Sequence, residues 1–138
     1  MKKNGFTLIE VLIASLLIGI AVVSLIGANI SFTKVNGFGT DLSTAEFLIE
    51  QIRELTTVVE YENLSGYDNS NFSPPHGVNG EVLNAFPSFS QQVFVENVSA
   101  SNFETVVADG SSDFVKITVK VLLNGREISE TSWIRARY

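Results

Sequence analysis

Phe6-Thr7-Leu8-Ile9-Glu10-Val11-Leu12-Ile13-Ala14-Ser15-Leu16-Leu17-Ile18-Gly19-Ile20-Ala21-Val22-Val23-Ser24-Leu25-Ile26 is apolar almost without a break. Coiled as a helix, these 21 residues reach about 31 Å, close to the hydrocarbon thickness of a bilayer. Met1-Lys2-Lys3-Asn4-Gly5 stands before them, short, polar and basic. The positive-inside rule keeps such a leader cytoplasmic and sends the rest of the chain across. A cleaved secretory signal has a shorter apolar core, about 7–15 residues, followed by small residues at the cut. Here the run is longer and ends in Ile26-Gly27-Ala28, a poor site of that kind. A retained membrane helix is the expectation.

Glu10 is the one carboxylate inside the run. At the centre of a spanning helix a charged side chain costs about 2.5–3.5 kcal/mol on insertion scales. In a first turn it gains only about 0.3–1 kcal/mol from the helix dipole. The gain is the smaller figure, so a positive charge on the same or a neighbouring chain should compensate Glu10. The simpler alternative is that Glu10 is only a first-turn helix acid.

Composition narrows the function classes. The 138 residues suffice for one modest domain and an anchor. Net charge is −6, and loss of the two leader lysines would take it to about −8. An acidic body argues against nucleic acid as a partner, because phosphate contacts need clustered Lys and Arg. Beyond the leader the one dense basic spot is Arg135–Arg137. There is no Cys to form a disulfide and a single His, His76, so a metal site is not expected. No nucleophile–base–acid set and no Gly-rich phosphate loop stands out, so neither an enzyme nor a cofactor is expected.

Beyond the run, Asn36-Gly37-Phe38-Gly39 should interrupt the helix, each Gly weakening it by about 1 kcal/mol. Residues 41–62 then read as helix, with Leu42, Ala45, Leu48, Ile49, Ile52, Leu55 and Val59 on one stripe. Glu46, Glu50 and Glu54 form an acidic row on another face. That row reads as a solvated face, with a charged contact between neighbouring subunits as the alternative. Residues 62–90 are rich in Gly, Pro and Asn and read as an irregular loop packed down in places by its aromatic residues.

The last third reads as β-structure. Strands are expected at Gln92–Val98, Thr105–Ala108, Phe114–Leu123 and Arg126–Tyr138. In the third, Val115, Ile117, Val119, Val121 and Leu123 share one face. Asn124-Gly125 is a two-residue hairpin signal. A bulge-free hairpin sets Ile128 opposite Val121 and Ile134 opposite Val115, and turns Trp133 to the other side with Lys116. Trp133 is then partly exposed, unless a bulge near Ser129–Thr131 swings it inward. The expected fold is α+β, a long helix laid on an antiparallel sheet of three or four strands.

Gly5-Phe6-Thr7-Leu8-Ile9-Glu10, followed by the apolar run, resembles the class III signal peptide of type IV prepilins and of type II secretion pseudopilins. The match covers roughly the first thirty residues, and the remainder agrees in layout with a pilin-like fold. Three parts follow: a leader at 1–5, a transmembrane and assembly helix at 6–30, and a periplasmic or extracellular globular domain at 31–138. The resemblance implies that prepilin peptidase cuts between Gly5 and Phe6 on the cytoplasmic side and that the new amine of Phe6 is methylated. It also implies that Glu10 pairs with the N-terminal amine of a neighbouring subunit during assembly. Many members carry Pro where Gly27 stands, so a Pro kink is not carried over. Residues 45–54 and the final Trp133-Ile134-Arg135 look like minor pilins and minor pseudopilins. The implied partners are prepilin peptidase, other pilin or pseudopilin subunits, an inner-membrane assembly platform and membrane lipid. The chain would lie in a bacterial inner membrane and then in a pilus or pseudopilus. A membrane-anchored binding or adhesion protein, with the 62–90 segment as its contact, is the alternative.

Overall fold

The computed structural model describes residues 7–137. The chain divides between Gly39 and Thr40 into two units, and one helix, α1 (Leu8–Val58), supplies residues to both. The interruption expected at Asn36–Gly39 is not there. Two Gly lower helix stability but leave every backbone donor and acceptor in place, unlike Pro, so a helix favoured on both sides continues. In the first unit the large apolar side chains from Leu8 to Phe38 are all at least half exposed. Between Leu8 and Ile26 they surround the helix instead of forming one stripe, the pattern of a helix whose solvent is apolar.

In the second unit α1 behaves differently. Ala45, Leu48, Ile49, Ile52 and Leu55 are buried, while Glu46, Glu50 and Glu54 face water. The stripe read from the spacing is the face that meets the sheet. Leu42 sits at its exposed upper end and Val59 packs at its lower edge. The helix stops at Val58, earlier than residue 62. Thr56, Thr57, Val58 and Val59 are consecutive β-branched residues, each poor in a helix. Both threonine hydroxyls also bond back to carbonyls of the preceding turn. A 3-10 helix, Tyr61–Tyr67, then carries the chain away and buries Leu64.

Five antiparallel strands follow: β1 (Ser70–Phe72), β2 (Phe89–Ser99), β3 (Asn102–Val106), β4 (Phe114–Leu123) and β5 (Arg126–Ala136). Their order is β1-β2-β4-β5, with β3 attached to the far end of β2 at Val98 and Ser99. The class is α+β, a long apolar helix and an antiparallel sheet. The strand beyond the expected number is β1, which lies within the segment read as loop. The β4–β5 hairpin turns on Asn124 (φ 51°) and Gly125 (φ 80°), both in the left-handed region that a two-residue hairpin requires.

The register of β5 departs from the bulge-free reading. Leu122 pairs with Glu127 but Val121 pairs with Ser129, so Ile128 is an extra residue bulged out of the ladder. Every residue beyond it changes face. Trp133 comes opposite Ile117 and Ile134 comes opposite Lys116, not Val115. Trp133 therefore packs against the core, while Ile134 is 36 % exposed. The bulge lies just before the Ser129–Thr131 stretch.

The core joins the α1 stripe to Leu64, Val93, Val115, Ile117, Val119 and Val121. Gln91 is a polar residue fully buried beside it. The Gln91 carboxamide donates to the Leu48 carbonyl (2.8 Å) and to the His76 carbonyl (3.2 Å), and its oxygen accepts from the His76 N–H (2.7 Å). Gln91 thus ties α1, the sheet and the segment before β2 at one point. Around that point Leu83 N–H reaches the Pro75 carbonyl (2.7 Å), Gln51 Oε1 accepts from Val78 N–H (3.2 Å), and the Phe72 and His76 rings stack at 4.3 Å. Residues 70–83 are a packed element, more ordered than the loop expected there.

Candidate functional site

Gly5 and Phe6, the residues at the expected cleavage point, lie outside the described residues. Thr7 and Glu10 lie at the start of α1. The Thr7 carbonyl accepts the first helical hydrogen bond, from Val11 N–H (3.3 Å), so Thr7 is the residue that caps the helix. Its side-chain oxygen accepts from Glu10 N–H (3.3 Å). In return Glu10 Oε2 accepts from Thr7 N–H (3.1 Å) and from the Thr7 hydroxyl (3.1 Å). This is a reciprocal capping box, and it satisfies two donors that the first turn would otherwise leave open. Thr-x-x-Glu ahead of an apolar run is the sequence sign of it, so Thr7 belongs to the site with Glu10.

The geometry gives Glu10 a fixed position. One carboxylate oxygen is held by its own chain. The other, Oε1, makes no hydrogen bond to any described residue. The carboxylate is exposed on a helix whose neighbouring side chains, Ile9 and Val11, are apolar and exposed. The arrangement can present one acceptor oxygen, at a set height on the helix, to a cation from elsewhere. Among the described residues no three His, Cys, Asp or Glu side chains group as a metal site.

The second unit uses its charges internally. Glu50 pairs with Arg53 at 3.1 Å, and Glu46 accepts from the Ser129 hydroxyl at 2.6 Å. The acidic row is therefore a solvated face on which Glu46 and Glu50 have local partners, the exposed ion pair contributing about 0–1 kcal/mol. Ser129, Trp133 and Arg135 share the inward face of β5 and all reach α1. The Arg53 guanidinium lies 5.0 Å from the centre of the Trp133 ring, and Arg135 donates to the Thr56 carbonyl. Arg137 meets Glu62 (3.5 Å) and Asp113 (3.8 Å) and covers the Tyr61 ring at 4.8 Å. The basic C-terminal spot is thus spent inside the unit. Burial raises the Tyr61 phenol above its ordinary value, with Arg137 pulling the other way.

The outer face of the sheet carries an open groove of about 580 Å³ lined by Phe94, Glu96, Lys116, Thr118, Lys120 and Glu130. Both lysines are paired there: Lys116 with Glu104 (2.9 Å), Lys120 with Glu127 (3.2 Å) and Glu130 (3.0 Å). Those two hydrogen bonds, Glu130 first, raise the Lys120 ammonium above its ordinary value. Compensated charges on an open strand face read as a solvated surface.

Within the first unit, α1 is long and apolar enough to cross a membrane, and no part of its most apolar stretch is buried. Against known protein families, residues 1–26 match the prokaryotic N-terminal methylation motif. No curated protein and no solved structure matches the chain. Residues 1–26 carry the class III signal peptide of type IV pilins and pseudopilins.

Proposed function

We propose that this chain is a structural subunit, entering as a minor one, of a type IV pilus or type II secretion pseudopilus. Prepilin peptidase removes residues 1–5 and leaves Phe6 as an N-terminal amine, which is then methylated. The apolar helix holds the subunit in the inner membrane, leader inward and globular unit outward, until an assembly platform draws it into the filament. Other pilin or pseudopilin subunits then take the place of lipid around the helix. Glu10 supplies the pairing charge: its free oxygen meets the amine of a neighbouring subunit.

The observation that carries this reading is Glu10 itself, a carboxylate held in place by Thr7 at the head of an exposed apolar helix that begins with the methylation motif. A helix-start acid alone would need no apolar surroundings. Charge pairing across an interface explains why one would be kept at such a cost.

Two measurements test it. Co-expression with a prepilin peptidase should shorten the chain by the five residues of its leader, read as intact mass. Cleavage after Ala28 instead would overturn the signal assignment. Glu10→Gln, which keeps shape and removes charge, should insert in membranes and be cut as before. It should fail to crosslink into the subunit assembly at equal expression. Entry equal to wild type would leave Glu10 only its capping role.

A further inference from the structure

The apolar run and the turns that follow it differ in pattern. From Leu8 to Ile26 apolar side chains surround α1. From Asn29 polar side chains enter on every side of the helix: Asn29, Ser31, Thr33, Lys34 and Asn36 interleave with Ile30, Phe32 and Val35. An all-round apolar helix suits hydrocarbon, and a helix of mixed polar and apolar residues suits the boundary between hydrocarbon and water. The switch falls at the end of the 21-residue run, about 31 Å from Phe6, where the hydrocarbon itself would end.

Heights along the helix narrow this further. With Ile26 at the edge of the hydrocarbon, Phe32 stands about 9 Å and Lys34 about 12 Å beyond it. The headgroup layer adds about 5–8 Å on each side. Side chains on a helix lean toward its N-terminus, here back toward the membrane. Phe32, 66 % exposed, therefore returns its ring toward the acyl boundary. The Lys34 ammonium, on a stem of about 6 Å, comes down to the level of the lipid phosphates. No ion pair among the described residues engages Lys34.

We propose that Asn29–Lys34 lies in the phospholipid headgroup layer on the side of the globular unit, with Phe32 at the acyl boundary and Lys34 on lipid phosphate. The inference rests on the reading of the apolar run as a membrane span. It adds a stop to that span. Lys34 and Phe32 set how far the helix enters before assembly, and with it the depth at which Glu10 waits.

The absence of Cys permits a direct test on the full chain. Nitroxide labels on Leu17→Cys, Ser31→Cys and Phe38→Cys are placed in phosphatidylcholine–phosphatidylglycerol vesicles. Their accessibility to oxygen, which concentrates in lipid, is compared with that to a water-soluble nickel chelate. The label at 17 should be deep, that at 31 intermediate and that at 38 in water. Position 31 as nickel-accessible as position 38 would overturn the headgroup placement, and so would shielding of position 31 from both reagents, the sign of a protein partner. Water-like values at position 17 would remove the span itself and the proposal with it. Lys34→Gln should shift the label at 31 outward, seen as a rise in nickel accessibility, and an unchanged value would overturn the part given to Lys34.

Discussion

Trp133 stands opposite Ile117 across the β4–β5 ladder, on the face of the sheet that looks at α1. The relationship exists because Ile128 is bulged. Its ring also lies under the Arg53 guanidinium, so one side chain links the edge strand, the central strand and the helix. Trp133→Ala should destabilise the globular unit by about 2–3 kcal/mol, less than the about 3–5 kcal/mol of a fully buried aromatic. Ile134→Ala should cost under about 1 kcal/mol. Denaturant midpoints of the full chain in detergent compare them, and a larger loss for Ile134 would restore the unbulged register.

Gln91 predicts a local effect. Gln91→Leu keeps most of the volume but leaves the His76 N–H and carbonyl without their buried partner. A loss of about 2–3 kcal/mol is expected. Limited proteolysis should then cut between residues 73 and 84 sooner than in the parent chain. Cutting elsewhere first would show that the carboxamide does not hold that segment.

The hairpin tip gives a conformational prediction. Gly125 has φ 80°, where a side chain is strained whatever the open space around it. Gly125→Val should cost about 1–2 kcal/mol, and Gly125→Asn less, because Asn tolerates the left-handed region. Thermal unfolding followed by far-ultraviolet circular dichroism would order the two.

Tyr61 and Lys120 give a pH dependence of one sign. Both have folded values raised, above 10.0 for the phenol and above 10.5 for the ammonium. A raised folded value means that the native state holds its proton longer than the unfolded chain. The associated stability is full below the unfolded value and is lost as pH rises through the folded one. Melting temperature should therefore fall from about pH 10 upward. Tyr61→Phe loses the weak hydrogen bond to the Ser112 carbonyl (3.5 Å) at neutral pH. Its deficit should shrink as pH passes the phenol's range, and a constant deficit would remove Tyr61 from the account.

Much of this was open to reading in the chain, for physical reasons that differ by element. The α1 stripe and the β4 alternation are periodic, and burial follows period. Asn124-Gly125 names its own turn because few residues accept positive φ. The β5 register was not readable, since Ile128 as a bulge and Ile128 as a ladder residue leave the same composition and differ only in packing. Gln91 hid because a lone Gln inside a strand looks like a solvent-facing residue until its partners, Leu48 and His76, are brought to it from elsewhere in the chain. At the helix start, Glu10 stood out by charge alone. Thr7 is legible only through its spacing to Glu10, because an isolated hydroxyl carries no such contrast.

The closure of residues 70–83 onto the sheet is made by a carboxamide, where a secreted domain of this size could use a pair of thiols. An amide clasp needs no oxidant. It also has no reduced state. The globular unit should therefore mature at the same rate in an oxidising or a reducing surrounding, and a reductant should leave its protease resistance untouched. Heat and denaturant, acting on the whole fold, are the agents that would open it.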